Sequence, residues 1–376
     1  MTKRWKLICV VGARPNFMKI APIMKALEAG PIRAVLVHTG QHYDSSLSQT
    51  FFEQLQIPKP DVDLDVGSAS HAVQTAEIMK RFEPVLDAER PDAILVVGDV
   101  NSTVACALVA AKKGVAVVHV EAGLRSRDRT MPEEINRVLT DAISDLLYVT
   151  EREAIVNLKQ EGIGEERVRF VGNVMIDTLM QNRDRTPDAA SVLSAAGETP
   201  LPPQTPYAVL TLHRPSNVDD PKKLAGLLNA LRDICRGVPI IFPLHPRTAA
   251  RIQEAGLSTL VAAPAFRVLP PVGYLEMLGL MKQAKFVVTD SGGLQEETTA
   301  LGVPCMTLRD NTERPITIAQ GTNTLVGSDP AALAPQFAEL FASGGKRGRL
   351  PELWDGNAAT RIAADLVSFF ESRSAA

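Results

Sequence analysis

Short apolar runs alternate with amphipathic stretches along almost the whole chain. The runs Leu7–Val11, Ala34–Val37, Ala93–Val97, Ala116–Val120, Leu146–Val149 and Val168–Val171 are rich in β-branched residues. Between them, Phe17–Glu28, Val73–Asp87, Thr103–Lys112 and Glu133–Ser144 place apolar residues at helical spacing. Strands that are apolar on both faces and joined by helices predict a parallel sheet covered on both sides. The rhythm breaks at Asp184–Pro206, which is rich in Pro, Ala, Ser and Thr. It restarts with Ala208–Leu212, Pro239–Pro243, Phe286–Thr289, Val303–Leu308 and Asn323–Val326, and a final amphipathic helix is expected over Trp354–Ser372.

This pattern predicts an α/β protein of two Rossmann-like, doubly wound domains facing a central cleft. The expected division is 1–172 for the first domain, 173–353 for the second, and 354–376 for a C-terminal helix crossing back to the first. A length of 376 residues agrees, since one core rarely spans so much chain. The net charge of −3 shows no basic excess, so nucleic acid is not an expected partner. No stretch approaches the roughly 18 apolar residues of a membrane span, and no signal-peptide pattern opens the chain, so a cytoplasmic location is expected. Cys9, Cys106, Cys235 and Cys305 form no CxxC pair. They predict reduced thiols, buried except for a shallower Cys235, with neither a disulfide framework nor a metal site.

Ligands of doubly wound sheets bind beyond the carboxyl ends of the strands, and the polar motifs collect there. The first strand runs into Gly12-Ala13-Arg14-Pro15-Asn16-Phe17-Met18-Lys19, where a helix start with two cations suits a phosphate. It is not a GxGxxG dinucleotide fingerprint. The strand at 93–97 ends in Gly98-Asp99, and Asp99 reads equally as a helix-start acid. Glu121 closes an apolar strand, where an unpaired buried charge is expensive, so it needs a cleft or a partner. His119, two residues earlier, reads as a satisfied core histidine. Glu133 follows Pro132 at a helix start, which suits the helix dipole. Three carboxylates on strand-end loops would raise one another's pKa into a range useful for acid–base work.

In the second half, His213-Arg214 stands at a strand end, a pairing suited to proton transfer and anion contact, and His245 repeats the theme on the next strand. Asp290-Ser291-Gly292-Gly293-Leu294-Gln295-Glu296-Glu297 reads as strand, glycine turn and helix. Two glycines allow close backbone approach, and the helix start binds a diphosphate.

Taken with Pro132–Arg137, Gly172–Asp177 and Thr312-Glu313-Arg314-Pro315, these segments resemble the non-hydrolysing UDP-N-acetylglucosamine 2-epimerases, relatives of the two-domain GT-B glycosyltransferases. The resemblance covers nearly the whole chain. It implies Asp99, Glu121, Glu133 and His213 as catalytic residues. It implies UDP-sugar contacts from Arg14, Lys19, Ser291, Gly292, Gly293, Glu297 and Arg314, with Val272 and Met277 lining the uridine pocket; His245 joins them as a further contact. Met277 stands where relatives often carry an aromatic, and Ser216-Asn217 stand where many carry an acid. Gln41 and Arg214 are compatible with the activator site of some bacterial members.

The expected reaction is inversion at C2 of a UDP-N-acetyl sugar by elimination and re-addition of UDP, with no cofactor and no metal, in a homodimer. Rival expectations are a 2-epimerase of UDP-2,3-diacetamido-2,3-dideoxy-glucuronate, a hydrolysing epimerase, a GT-B glycosyltransferase, and a catalytically inactive sugar-nucleotide sensor.

Overall fold

The computed structural model describes residues 4–40, 52–235 and 237–375. The chain forms two compact units, Met1–Gln181 with Glu352–Ala376, and Asn182–Pro351. The first unit holds β1 (Trp5–Val11), β2 (Ile32–His38), β3 (Val62–Asp63), β4 (Ala93–Val97), β5 (Ala116–Ala122), β6 (Leu146–Val149) and β7 (Val168–Phe170). They form one parallel sheet in the order β3-β2-β1-β4-β5-β6-β7. The second unit holds β8 (Ala208–Thr211), β9 (Ile240–Pro243), β10 (Phe266–Leu269), β11 (Phe286–Thr289), β12 (Cys305–Thr307) and β13 (Asn323–Leu325). Its parallel order is β10-β9-β8-β11-β12-β13.

Both orders reverse direction beside the first strand, the doubly wound arrangement anticipated from the alternating pattern. The reversal opens a crevice between β1 and β4 in one unit and between β8 and β11 in the other. Continuous apolarity in the strands follows from cover on both faces. In the first unit Ile8, Val10, Val35, Val37, Ile94 and Val96 pack with Ile78 and Phe82 of the helix His71–Glu89. In the second, Leu210, Phe242 and Phe286 pack with Leu227, Leu231 and Phe337.

Proline sets where several helices begin. Pro15, Pro132, Pro215, Pro221, Pro246 and Pro315 each stand in a first helical turn, where the missing N–H breaks no helical bond. Two strands lie outside the sequence expectation. β3 has only two residues, and β10 carries Arg267 inside its four; both lie at sheet edges, where a long apolar run is not required. Cys235 departs from expectation too: it is buried like the other three cysteines.

The last helix, Ala358–Ala375, belongs to the first unit. Phe370 stacks on Trp5 with ring centroids 5.7 Å apart, and Tyr148 donates its hydroxyl proton to Asp365 at 2.9 Å. Trp354 is fully buried and donates to the Thr150 carbonyl at 3.1 Å. The strand exit passes so close that a Cβ on Gly172, at φ +89°, would meet the Leu353 carbonyl oxygen at 2.1 Å. Asp177 accepts the N–H groups of Ala358 at 3.1 Å and Ala359 at 2.7 Å, capping the helix. Burial lifts its carboxyl to about 6, against the pull of those two bonds.

Replacing Asp177 with alanine strands two buried donors. A loss of about 1–2 kcal/mol is expected, the upper range of a lost helix cap. Both tryptophans, Trp5 and Trp354, lie in the first unit, so urea unfolding followed by their fluorescence reports this unit alone. An unchanged midpoint and slope would deny the cap its stabilising role.

Candidate active site

The end of β5 is the most constrained point of the first unit. Every residue from Ala116 to Ala122 is buried, and the register with β6 shifts between Val120 and Ala122. Glu121, at the shift, adopts φ +71°, a left-handed conformation that a non-glycine residue holds only where its surroundings impose it. Both of its carboxylate oxygens lie 2.8 Å from the Lys19 ammonium, and both side chains are buried. The same ammonium would lie 2.8 Å from a Cβ on Gly98, which itself has φ +69°. Lys19 therefore fills the space between the β4 and β5 loops.

Asp99 is gripped differently. Its carboxylate takes Arg137 at 2.6 Å, and the Asn136 amide donates to its carbonyl at 2.9 Å. Arg137 bridges on to buried Glu134 at 2.6 Å, one helical turn away. Glu133 faces outward on the same helix, exposed to solvent. Asn16 ties β1 to β4: its side-chain oxygen accepts from Gly12 and Ala13, and its amide donates to the Val97 carbonyl at 3.0 Å. His119 is wholly buried, its ring nitrogens 2.7 Å from Asp141 and 2.8 Å from the Gly98 carbonyl. Burial alone would raise the Asp141 carboxyl, but His119 and Arg125 together hold it below the usual range.

The second unit uses N–H groups where the first uses cations. Asp290, directly after β11, is completely buried. Its carboxylate lies 2.7 Å from His213 Nδ1 and accepts the backbone N–H groups of His213 and Arg214 at 3.1 and 2.9 Å. Asn217 adds a donor at 3.2 Å. Burial opposes ionisation here, yet the His213 ring and these donors keep the carboxyl below the usual range. The His245 ring packs against His213, centroids 5.6 Å apart, and its Nδ1 accepts the Arg247 N–H at 3.2 Å.

The glycine turn follows Asp290. Ser291, Gly292 and Gly293 are half-buried and open the helix Gly292–Leu301, whose first-turn N–H groups have no helical partner. A Cβ on Gly292 would lie 2.5 Å from the Glu313 carboxylate, so glycine here admits the loop carrying Glu313. Glu313 pairs with Arg309 at 2.8 Å, and Arg314 with Glu296 at 2.9 Å, all four buried. Glu297 is buried beside the Tyr274 hydroxyl, and its Oε1 has no hydrogen-bond partner among the described residues. Burial, reinforced by Glu296, lifts its carboxyl to about 8 in spite of Tyr274. Val272 and Met277 stand half-buried on either side of Tyr274.

A profile of the family described as UDP-N-acetylglucosamine 2-epimerase matches residues 25–367. The chain belongs to that family. The UDP-N-acetylglucosamine 2-epimerase of Methanococcus maripaludis is 43% identical over 329 residues, 87% of this chain and 89% of the relative. The UDP-2,3-diacetamido-2,3-dideoxy-D-glucuronate 2-epimerase of Pseudomonas aeruginosa is 42% identical over 327 residues, covering 86% of this chain and 88% of its own. The Methanocaldococcus jannaschii UDP-GlcNAc 2-epimerase, solved in complex with UDP-GlcNAc and UDP, matches the fold with a TM-score of 0.88 at 41% identity. That match covers 96% of this chain and 99% of the other. The protein is therefore an epimerase of the GT-B-like kind, with relatives of two sugar specificities.

Within this epimerase the expected site residues fall into two sets, one in each unit. Lys19, Asp99 and Glu121 gather at the β1, β4 and β5 ends, while Glu133 stands on the outer face of its helix. His213, His245, Ser291, Gly292 and Gly293 gather at the β8, β9 and β11 ends, with Glu297 and Arg314 buried behind the turn. Arg14 opens the first helix, and Gln41 lies outside the described residues. Among the described residues no group of three or more His, Cys, Asp or Glu side chains is placed to hold a metal, and no helix is long and apolar enough to cross a membrane. Sequence reasoning passed over Asp290, Asn16, Arg137 and Tyr274 as site residues. For Asp290 the signal was available, since it ends an apolar strand just as Glu121 does.

Glu297 yields a test through pH. Its folded value of about 8 lies above that of an unfolded glutamate, so the folded chain holds the proton more tightly. The resulting stability is complete below about pH 4 and is lost as pH rises through about 8. Wild type is expected to lose stability relative to Glu297→Gln between about pH 5 and pH 8. Paired thermal melts measure this, and a constant difference across that range would contradict the buried neutral acid.

Proposed function

We propose that the chain is a non-hydrolysing 2-epimerase that interconverts UDP-N-acetylglucosamine and UDP-N-acetylmannosamine. The observation that carries this reading is the pair of carboxylates, Asp99 and Glu121, each held by a buried cation at neighbouring strand ends. Each cation fixes its carboxylate in one place, as a group that must meet a carbon-bound proton in a set geometry requires. The relative crystallised with UDP-GlcNAc and UDP supports the same substrate class.

The C2 proton of the substrate is not acidic in the ground state, because no carbonyl adjoins it. As the C1–O bond breaks, its electron pair passes to the UDP oxygen, and charge developing at C1 acidifies the C2 proton. A carboxylate among Asp99, Glu121 and Glu133 takes that proton, and the C–H electrons form the C1–C2 double bond of a 2-acetamidoglucal. Protonation of C2 from the opposite face and return of the UDP oxygen to C1 complete the inversion. In this reading the Ser291–Gly293 turn, with its helix start and Arg14, receives the charge of the departing diphosphate. His213 serves the same end or moves a proton, and Glu297, with Val272 and Met277 nearby, meets the uridine ribose.

Incubation with UDP-N-acetylglucosamine in D2O, followed by proton NMR, tests the reading. The expected outcome is a mixture of both epimers with deuterium at C2, and turnover reduced at least ~10²-fold in Asp99→Asn and Glu121→Gln. Inversion without deuterium uptake would exclude the route, and free N-acetylmannosamine as product would make the enzyme hydrolytic. The Pseudomonas relative favours a second reading, a diacetamido-glucuronate substrate, which turnover of that UDP-sugar alone would establish.

The same reading includes a homodimer. Ile135, Val138 and Leu139 form an exposed apolar stripe on the helix Pro132–Ile143, a feature expected of an interface between copies. Light scattering giving the mass of one chain would reject it.

A further inference from the structure

We infer that Asp290 is a positioning residue that fixes the proton of the neutral His213 ring on Nδ1, so that His213 acts through Nε2. The inference rests on the epimerase reading and deepens it. Everything facing the Asp290 carboxylate at this point is a donor: the His213 and Arg214 backbone N–H groups and the Asn217 amide. The remaining neighbour is His213 Nδ1, 2.7 Å from Oδ1. An ionised carboxylate offers only lone pairs, so a stable contact at that distance requires a proton on Nδ1.

The rest of the surroundings point the same way. The His213 side chain is 38% exposed, whereas Asp290 is completely buried, so the ring edge opposite Asp290 is the one open to a ligand. Arg214 is tied to the same residue, its Nε donating to the Asp290 carbonyl at 3.0 Å. The neighbouring His245 carries the opposite arrangement. Its Nδ1 accepts the Arg247 N–H, which places the ring proton on Nε2. Two packed imidazoles thus present unlike edges, a lone pair from His213 and a proton from His245. With its tautomer fixed, His213 offers its lone pair at Nε2 as the basic edge of the ring, and Asp290 balances the charge of the imidazolium whenever that edge is protonated.

Asp290→Asn separates this role from mere folding. The amide has one acceptor oxygen, which the two backbone N–H groups and Asn217 claim. Its NH2 group then faces His213 Nδ1 and requires a lone pair there, which drives the ring proton to Nε2. The ring stays in place with the wrong edge presented.

The chain has six histidines, so ring 15N NMR resolves them, and loss of one signal in His213→Gln assigns the one of interest. Wild type in the neutral form is expected to carry its proton on Nδ1, and Asp290→Asn on Nε2. In Asp290→Asn, kcat for the UDP-sugar is expected to fall at least ~10²-fold, with KM changed less than about threefold. Unchanged kcat, or lost turnover with the wild-type tautomer retained, would overturn the assignment. Should Asp290→Asn fail to fold, the wild-type spectrum still decides, because a proton on Nε2 with a bare Nδ1 refutes it. A wild-type protein with the expected tautomer but no turnover of any UDP-amino sugar would sink the epimerase reading and leave the tautomer assignment standing.

Discussion

At β5 and β11 the chain places an acidic side chain only at or just beyond the carboxyl end of a buried strand. A charged side chain inside β5 or β11 would meet apolar layers on either face, at a cost that packing does not recover. β5 shows how sharp the limit is. It is buried through Ala122, and Glu121 becomes usable only because the register with β6 slips and the backbone turns left-handed at that residue. Lys19 then meets the carboxylate, so that strain, register shift and ion pair occupy a single point of the chain.

The two units meet the same limit with different chemistry. The first surrounds its strand-end carboxylates with cations, Lys19 at Glu121 and Arg137 at Asp99, and does the same with Arg125 at Asp141 of the helix Pro132–Ile143. Breaking one such buried pair leaves an uncompensated charge, which costs more than the pair ever contributed. The second unit surrounds Asp290 with N–H groups, and the glycine turn and helix start follow directly after it. Glu297 is the contrast in the same unit. With burial against it and Glu296 nearby, it keeps its proton until about pH 8.

Much of this was legible in the residue pattern, because a doubly wound fold imposes a period that needs no tertiary information. The apolar runs located eleven strands, and the polar residues just after them located the loops. The short edge strands β3 and β10 escaped because an edge lacks the two-sided cover that makes a strand apolar throughout. The Pro132-Glu133-Glu134 segment marks a helix start in sequence, but only the helix's orientation turns Glu134 inward to Arg137 and leaves Glu133 exposed. Lys19 reads as a phosphate ligand, and nothing local in the sequence shows that the fold also places it against Glu121, a residue 102 positions away. Gly292 allows a close backbone approach by a ligand, and the fold also brings the Glu313 carboxylate to where its Cβ would stand. Such pairings join distant loops, and no local periodicity encodes them.

The histidines show how one motif acquires two uses. His119 lies within β5 and His213 just beyond β8, and each has Nδ1 2.7 Å from a buried aspartate. What differs is the second nitrogen. In His119 it meets the Gly98 carbonyl at 2.8 Å, so the ring is closed on both edges and ties β5 to the β4 loop and to the helix Pro132–Ile143. In His213 no hydrogen bond to that nitrogen is found among the described residues, and the side chain is 38% exposed. An aspartate–histidine pair is therefore not a catalytic signature by itself. Its use is decided by whether the fold also occupies the far nitrogen, as it does for His119 and, among the described residues, does not for His213.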